Sequence, residues 1–192
     1  GHIRVYDYVA GRNPEWDKIG NDIDGETGSG NTRFGWSVSL SANGKILAGG
    51  SNFNDGGGKG SSTGHVRVYD YIQGRNPEWK QLGDDIDGEA QSDYFGETIS
   101  LSADGTIIAI GAPNNDGNDT TNTYRGHVRV YKYTNNNWLQ MGSDIDGKFE
   151  KESSGRNISL SADGSILVIG ARGYDTPGTT NNRGHAYVSV SY

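Results

Sequence analysis

The sequence predicts an all-β protein of tandem four-stranded antiparallel units, on three observations. One segment recurs: "GHIRVYDY" at 1–8 returns as "GHVRVYDY" at 64–71, "GHVRVYKY" at 126–133 and, worn, "GHAYVSVSY" at 184–192, with starts 63, 62 and 58 residues apart. Apolar positions within each copy alternate with period two, and no segment carries a helical period of helical length. Only 32% of residues are hydrophobic while Gly numbers 31, so apolar material comes in short strands divided by many turns. Such a period marks a propeller, solenoid or array whose units bury their faces on their neighbours. Four-stranded units in tandem are the blades of a β-propeller, and about three repeats of ~62 residues are expected here.

The first strand of the unit is "FGWSVSLS" (34–41), "FGETISLS" (95–102) or "SGRNISLS" (154–161), in which Val38 and Leu40 alternate with serines. Asn43-Gly44, Asp104-Gly105 and Asp163-Gly164 follow, dipeptides that favour positive φ and predict two-residue hairpin turns. The second strand ("KILAGGS", "TIIAIGAP", "SILVIGAR") is apolar on both faces, as a strand covered on two sides should be. A long polar loop leads to the third strand, where Val66 and Val68 face one way and His65, Arg67 and Tyr69 the other. The fourth strand carries Trp16, Trp79 or Trp138, ends in "KIG", "QLG" or "QMG", and runs into a "DIDG" turn. The expected division is a partial blade at 1–33 (third and fourth strands), blades at 34–94 and 95–153, and a partial blade at 154–192 (first to third strands). Three blades are too few for a ring of ~4–8, so part of a longer repeat chain, or one protomer of an assembly, is expected.

Net charge is −7 with basic residues spread thinly, which disfavours nucleic acid as a partner. No apolar run approaches the ~18 residues of a membrane span, so no membrane insertion is expected. Cysteine is absent, which removes disulfide and thiolate-metal readings.

The middle copy pairs Phe95-Gly96 with Gly111-Ala112-Pro113, and thereby resembles the FG-GAP repeat that builds the propeller of integrin α subunits and of many surface proteins. The wording "GSDIDGE…SVSLSADG…AIGAP…GHVRVY" also resembles tandem repeats of algal and marine microbial surface proteins. The resemblance implies a propeller and an extracellular or cell-surface setting. Its calcium loop between first and second strands does not carry over to Asn43, Asp104 or Asp163, where the turn is short and holds at most one acid.

The "DIDG" segments supply the candidate metal ligands: Asp22 and Asp24, Asp85 and Asp87, Asp144 and Asp146. Carboxylates at i and i+2 before a glycine can converge on calcium. The competing reading is an Asx-turn whose aspartates accept backbone N–H bonds, with Ile23, Ile86 and Ile145 as buried plugs. The long loops offer candidate ligand contacts at Asn54, Asp55, Asn115, Asp116, Asp119, Tyr124, Tyr174 and Asp175, against a plain reading as surface loops. Repeated His2, His65, His127 and His185 are expected to pack between units rather than hold metal. Trp16, Trp79 and Trp138 are expected in outer-strand packing. Asn118-Asp119-Thr120 is a glycosylation acceptor triplet in a loop, whereas Asn157 is expected to be silent within a buried strand.

No Ser-His-Asp, paired-Glu or histidine constellation stands apart from the repeat, and catalysis needs one site rather than three. The expectation is a non-catalytic extracellular module with a structural, adhesive or assembly role through its loops. It would require no cofactor, with calcium as a candidate, and its partner would be protein (itself, or the rest of a longer repeat chain) or a surface glycan. A lectin-like carbohydrate-binding propeller is the alternative, and a propeller hydrolase or lyase the third reading.

Overall fold

In the computed structural model, residues 1–26, 32–117, 123–173 and 184–190 are described. The chain is all-β: the described residues form fifteen strands and no helix. They are β1 (His2–Val9), β2 (Glu15–Asp24), β3 (Val38–Leu40), β4 (Ile46–Ser51), β5 (His65–Ile72), β6 (Glu78–Gln81), β7 (Ile86–Asp87), β8 (Thr98–Leu101), β9 (Ile107–Ala112), β10 (His127–Thr134), β11 (Asn137–Gln140), β12 (Ile145–Asp146), β13 (Ser154–Leu160), β14 (Ile166–Ala171) and β15 (His185–Val190). They form four antiparallel sheets: β1-β2, then β3-β4-β5-β6, then β8-β9-β10-β11, then β13-β14-β15. The short β7 and β12 pair with β5 and β10. The two middle sheets are therefore meanders in sequence order.

Consecutive sheets pack face to face, because the inner strands are apolar on both sides. One core cluster joins the first two sheets (Ile3, Ile23, Phe34, Leu47, Tyr69, Trp79), a second joins the middle two (around Val66, Val68, Phe95, Ile108 and Ile110), and a third joins the last two (Ala109, Val128, Leu167, Ile169). Along β4 and β9 alternate residues face the preceding and the following sheet, so both strands are buried almost throughout.

The structure corrects three details of the unit. In the first two copies the first strand is shorter than its sequence pattern: Phe34-Gly35 and Phe95-Gly96 lie in a turn before β3 and β8. Their glycines have φ of 87° and 84°, which ends regular pairing there. The hairpin turns hold four residues rather than two. Ser41 N–H donates to the Ile46 carbonyl, only Gly44 takes positive φ, and Asn43 Oδ1 accepts from Ser41 Oγ and Lys45 N–H. Asp104 and Asp163 repeat that pattern, so these side chains are spent on closing the turn.

The third correction concerns "DIDG", whose Ile-Asp pair is strand and not turn. Its Ile-Asp pair returns to the third strand, Val66 opposite Ile86 and Val128 opposite Ile145, after a bulge. In the second sheet Gln81 still opposes Tyr69 and Leu82 N–H donates to the Val68 carbonyl, so residues 83–85 loop out beside Arg67. Gly20, Gly83 and Gly142 head the three bulges with φ between 71° and 76°, the left-handed region where a glycine costs least.

Candidate functional site

The bulge builds the polar site of each unit. By lifting three residues out of the ladder it turns the first Asp of "DIDG" onto the face that carries Arg and His of the third strand. Arg67 donates through Nε and Nη2 to Asp85 at 2.8 and 2.7 Å, and Arg129 does the same to Asp144 at 2.9 and 2.7 Å. Gln81 and Gln140 add a third donor at 2.7 Å each. A carboxylate from the segment entering the sheet closes the cluster: Glu26 contacts Arg67, and Glu89 contacts Arg129. In the first sheet two exposed cations, Arg4 and Lys18, hold the half-buried Asp22 at 2.9 and 2.6 Å.

His65 and His127 sit at the inner end of these clusters, both buried. His127 Nδ1 is 3.8 Å from Asp144 and 3.9 Å from Asp146, too long for hydrogen bonds, and neither ring nitrogen is hydrogen-bonded among the described residues. Burial first, then the neighbouring Arg129 charge, pushes its pKa down to about 4. The same two causes lower His65. The two aspartates of each "DIDG" part company. Hydrogen bonds from Arg129 and Gln140 hold Asp144 low against its burial, and burial of Asp85 is outweighed by Arg67 and Gln81. Asp87 and Asp146, without such donors, are raised by burial.

Glu26, His65 and Asp85 bring ligand atoms within 4.8 Å of one another, as do Glu89, His127 and Asp144. Chemically these are donor sets for a divalent ion. The guanidinium already fills that role, however: it bonds both carboxylates, and a metal would have to sit against its positive charge. The candidate metal aspartates therefore divide. Asp22, Asp85 and Asp144 accept from side chains, not from backbone N–H groups as an Asx-turn requires, while Asp24, Asp87 and Asp146 lie at the strand end.

The loop candidates are largely structural. Asn54 and Asn115 are buried; each accepts an N–H from the glycine two residues on, and their amides donate to Glu26 and Asp93 at 2.8 and 2.9 Å. The Asp55 carbonyl accepts two turn N–H groups, and Asp116 Oδ1 accepts Tyr124 N–H. Tyr124 is exposed. Asn118, Asp119, Tyr174 and Asp175 lie outside the described residues. Asn157 is exposed rather than buried, because among the described residues no sheet covers that side of β13. Trp79 and Trp138 pack as expected, but Trp16 is bare.

Sequence reasoning passed over Arg67, Arg129, Glu26 and Glu89. The signal was present in the repeat itself: where the last copy has Tyr187 instead of arginine, the entering residue is Lys148 instead of glutamate. The ammonium lies 5.2 Å from the Tyr187 ring centroid, a cation–π contact in place of the ion pair. One cluster does not repeat among the described residues. Arg33 lies 3.7 Å from the Phe53 centroid and 5.4 Å from that of the exposed Trp36, and Phe53 stacks on Tyr94 at 5.1 Å.

No family model matches the chain, and no curated protein matches it. Among solved structures it is similar to a candidate 6-phosphogluconolactonase from Bacteroides uniformis, with 15% identity over 88% of this chain and a TM-score of 0.52. It also aligns to the complex of KlAtg21 with the coiled-coil of AgAtg16, with 18% identity over 69% of this chain and a TM-score of 0.48. The chain spans about two fifths of the length of these structures, 41% and 36% respectively.

Proposed function

We propose that the chain is a run of β-propeller blades related to the FG-GAP type, a non-catalytic extracellular or surface module with a structural, adhesive or assembly role. One observation carries this reading: the charged arginines and acids that recur from sheet to sheet are engaged there by partners within the chain, and the histidine between them is buried. Arg67 and Arg129 bond acids supplied by both the bulge and the entering segment. A group fully engaged in joining units is poorly placed to turn over a substrate. Calcium is not required on this reading, and Asn118 is its glycan acceptor.

The second reading is a carbohydrate-binding propeller, favoured by the Trp36–Arg33–Phe53–Tyr94 stack, which among the described residues occurs at one interface. Aromatic faces beside a guanidinium suit sugar rings. A glycan array, run beside an assay of lactone and glycoside hydrolysis, tests both readings. The structural reading expects no glycan retained and no hydrolysis. A glycan bound by the native chain and lost in Trp36→Ala would establish the second reading, and turnover would overturn both.

A further inference from the structure

The repeat supplies its own controls for which surfaces are meant to be covered. Leu101 in β8 is 8% exposed, yet its counterpart Leu40 in β3 is 48% exposed. Trp79 is 5% exposed and its counterpart Trp16 is 67% exposed. These bare residues edge a groove of about 620 Å³ lined by Ile3, Val5, Val38, Leu40 and Leu47. It runs beside β1, which among the described residues pairs with β2 alone and so leaves one backbone edge open. In the next two sheets that place, beside the third strand, is taken by β4 and β9.

The opposite end shows the converse deficit. Val68 in β5 is fully covered by the following sheet, whereas its counterpart Val188 in β15 is 65% exposed, together with Ile166 and Val168 of β14. β15 too has one open edge among the described residues. The groove lacks what the far sheet offers, a strand edge bearing aliphatic side chains on one face. The far sheet lacks what the groove offers, the apolar bed on which Ala48, Val66 and Val68 are buried within the chain.

We propose that a second copy of the chain docks head to tail in this groove, its β15 adding to the open edge of β1 and its Val188, Ile166 and Val168 covering Leu47, Leu40 and Val38. The contact extends the sheet-on-sheet interface already made three times within the chain, and it uses strand addition to an open edge. Because two different surfaces meet, it is heterologous: it builds rings or open runs rather than a symmetric pair. The inference rests on reading the chain as stacked repeat units.

Sedimentation equilibrium of the purified chain, from micromolar to several hundred micromolar, tests it with Leu40→Glu at one surface and Val188→Glu at the other. Both sites are exposed, so both variants keep the native melting midpoint; if either melts low, Val38→Lys and Val168→Lys replace the pair. The native chain grows in mass with concentration. Each variant alone stays monomeric, since every contact needs one of each surface. Mixed in equal amounts they form a dimer of twice the chain mass, because one intact surface remains on each. A native chain that stays monomeric, a variant that still associates alone, or a mixture that stays monomeric would overturn the docking. None of these touches the repeat reading, which is tested inside a single chain by the arginine variants below.

Discussion

Burial holds His127 neutral, and that ties stability to pH. Its pKa falls from 6.5 to about 4, so between those values the unfolded chain binds a proton that the folded chain refuses. The unfolded state therefore gains as pH drops: stability is whole above pH ~6.5 and is lost towards pH ~4, at up to about 1.4 kcal/mol per pH unit. His65 is shifted the same way and adds to the slope. Urea melts at pH 7.5, 6 and 5 should show the loss, and His127→Gln should flatten it without abolishing it. An unchanged slope in that variant would mean that other groups carry the dependence. A second residue-scale test separates Gly96 from its neighbour. A Cβ on Gly96 would meet the His65 carbonyl at 2.8 Å, at a φ of 84°. Gly96→Val should cost about 3 kcal/mol or more through strain and clash. Glu97→Val, which loses one bond from Asn52 and a longer contact to Arg156, should cost about 1 kcal/mol. Equal costs by urea melting would contradict the packing at this turn.

Among the elements, the fourth strand shows what fixes one unit on the next. Trp79 Nε1–H donates to the Ile19 carbonyl at 3.2 Å and Trp138 Nε1–H to the Leu82 carbonyl at 2.8 Å, each indole lying against the bulge glycine of the preceding sheet. Trp79→Ala should cost about 3–5 kcal/mol, as for other buried aromatics. Trp16→Ala, at the same position without a sheet before it, should stay within about 0.5 kcal/mol. Thermal melts of the two decide it, and similar losses would mean that tryptophan stabilises its own hairpin rather than the interface.

Strand order and facing were legible from alternation alone: Val66 and Val68 against Arg67 and Tyr69 could point no other way. The bulge was not legible, because "LGDDID" reads equally as a glycine turn or as a strand with three residues lifted out. Only the pairing of Ile86 with Val66 decides between them. That ambiguity hid the site as well. Asp85 as a turn residue has no reason to meet Arg67, whereas as the last residue of a bulge it has no other place to go.

In the whole molecule, neighbouring sheets are fastened by apolar cores edged with Arg–Asp–Glu clusters, the guanidinium standing where an ion would otherwise stand. Millimolar calcium and EDTA should then give the same melting midpoint. A rise of many degrees in calcium would instead show ion binding to the folded state. The loop asparagines at 54 and 115 belong to the same account, since a buried amide that bonds the entering carboxylate side of its loop closes the unit rather than greeting a ligand. The sequence pattern "ND" there reads as exposed because asparagine and aspartate usually are.

The most direct test compares one arginine at two places. Arg129 is buried between sheets, and replacing it by Met leaves Asp144 and Glu89 facing each other without a cation. Both acids keep some water, so Arg129→Met should cost about 2 kcal/mol, less than a fully buried pair. Arg4, the same residue of the repeat, is itself exposed and holds only Asp22, with no acid from an entering segment among the described residues. Arg4→Met should leave the urea midpoint of the native chain unchanged while Arg129→Met lowers it clearly. Equal midpoints for the two variants would contradict the claim that these clusters fasten one unit to the next.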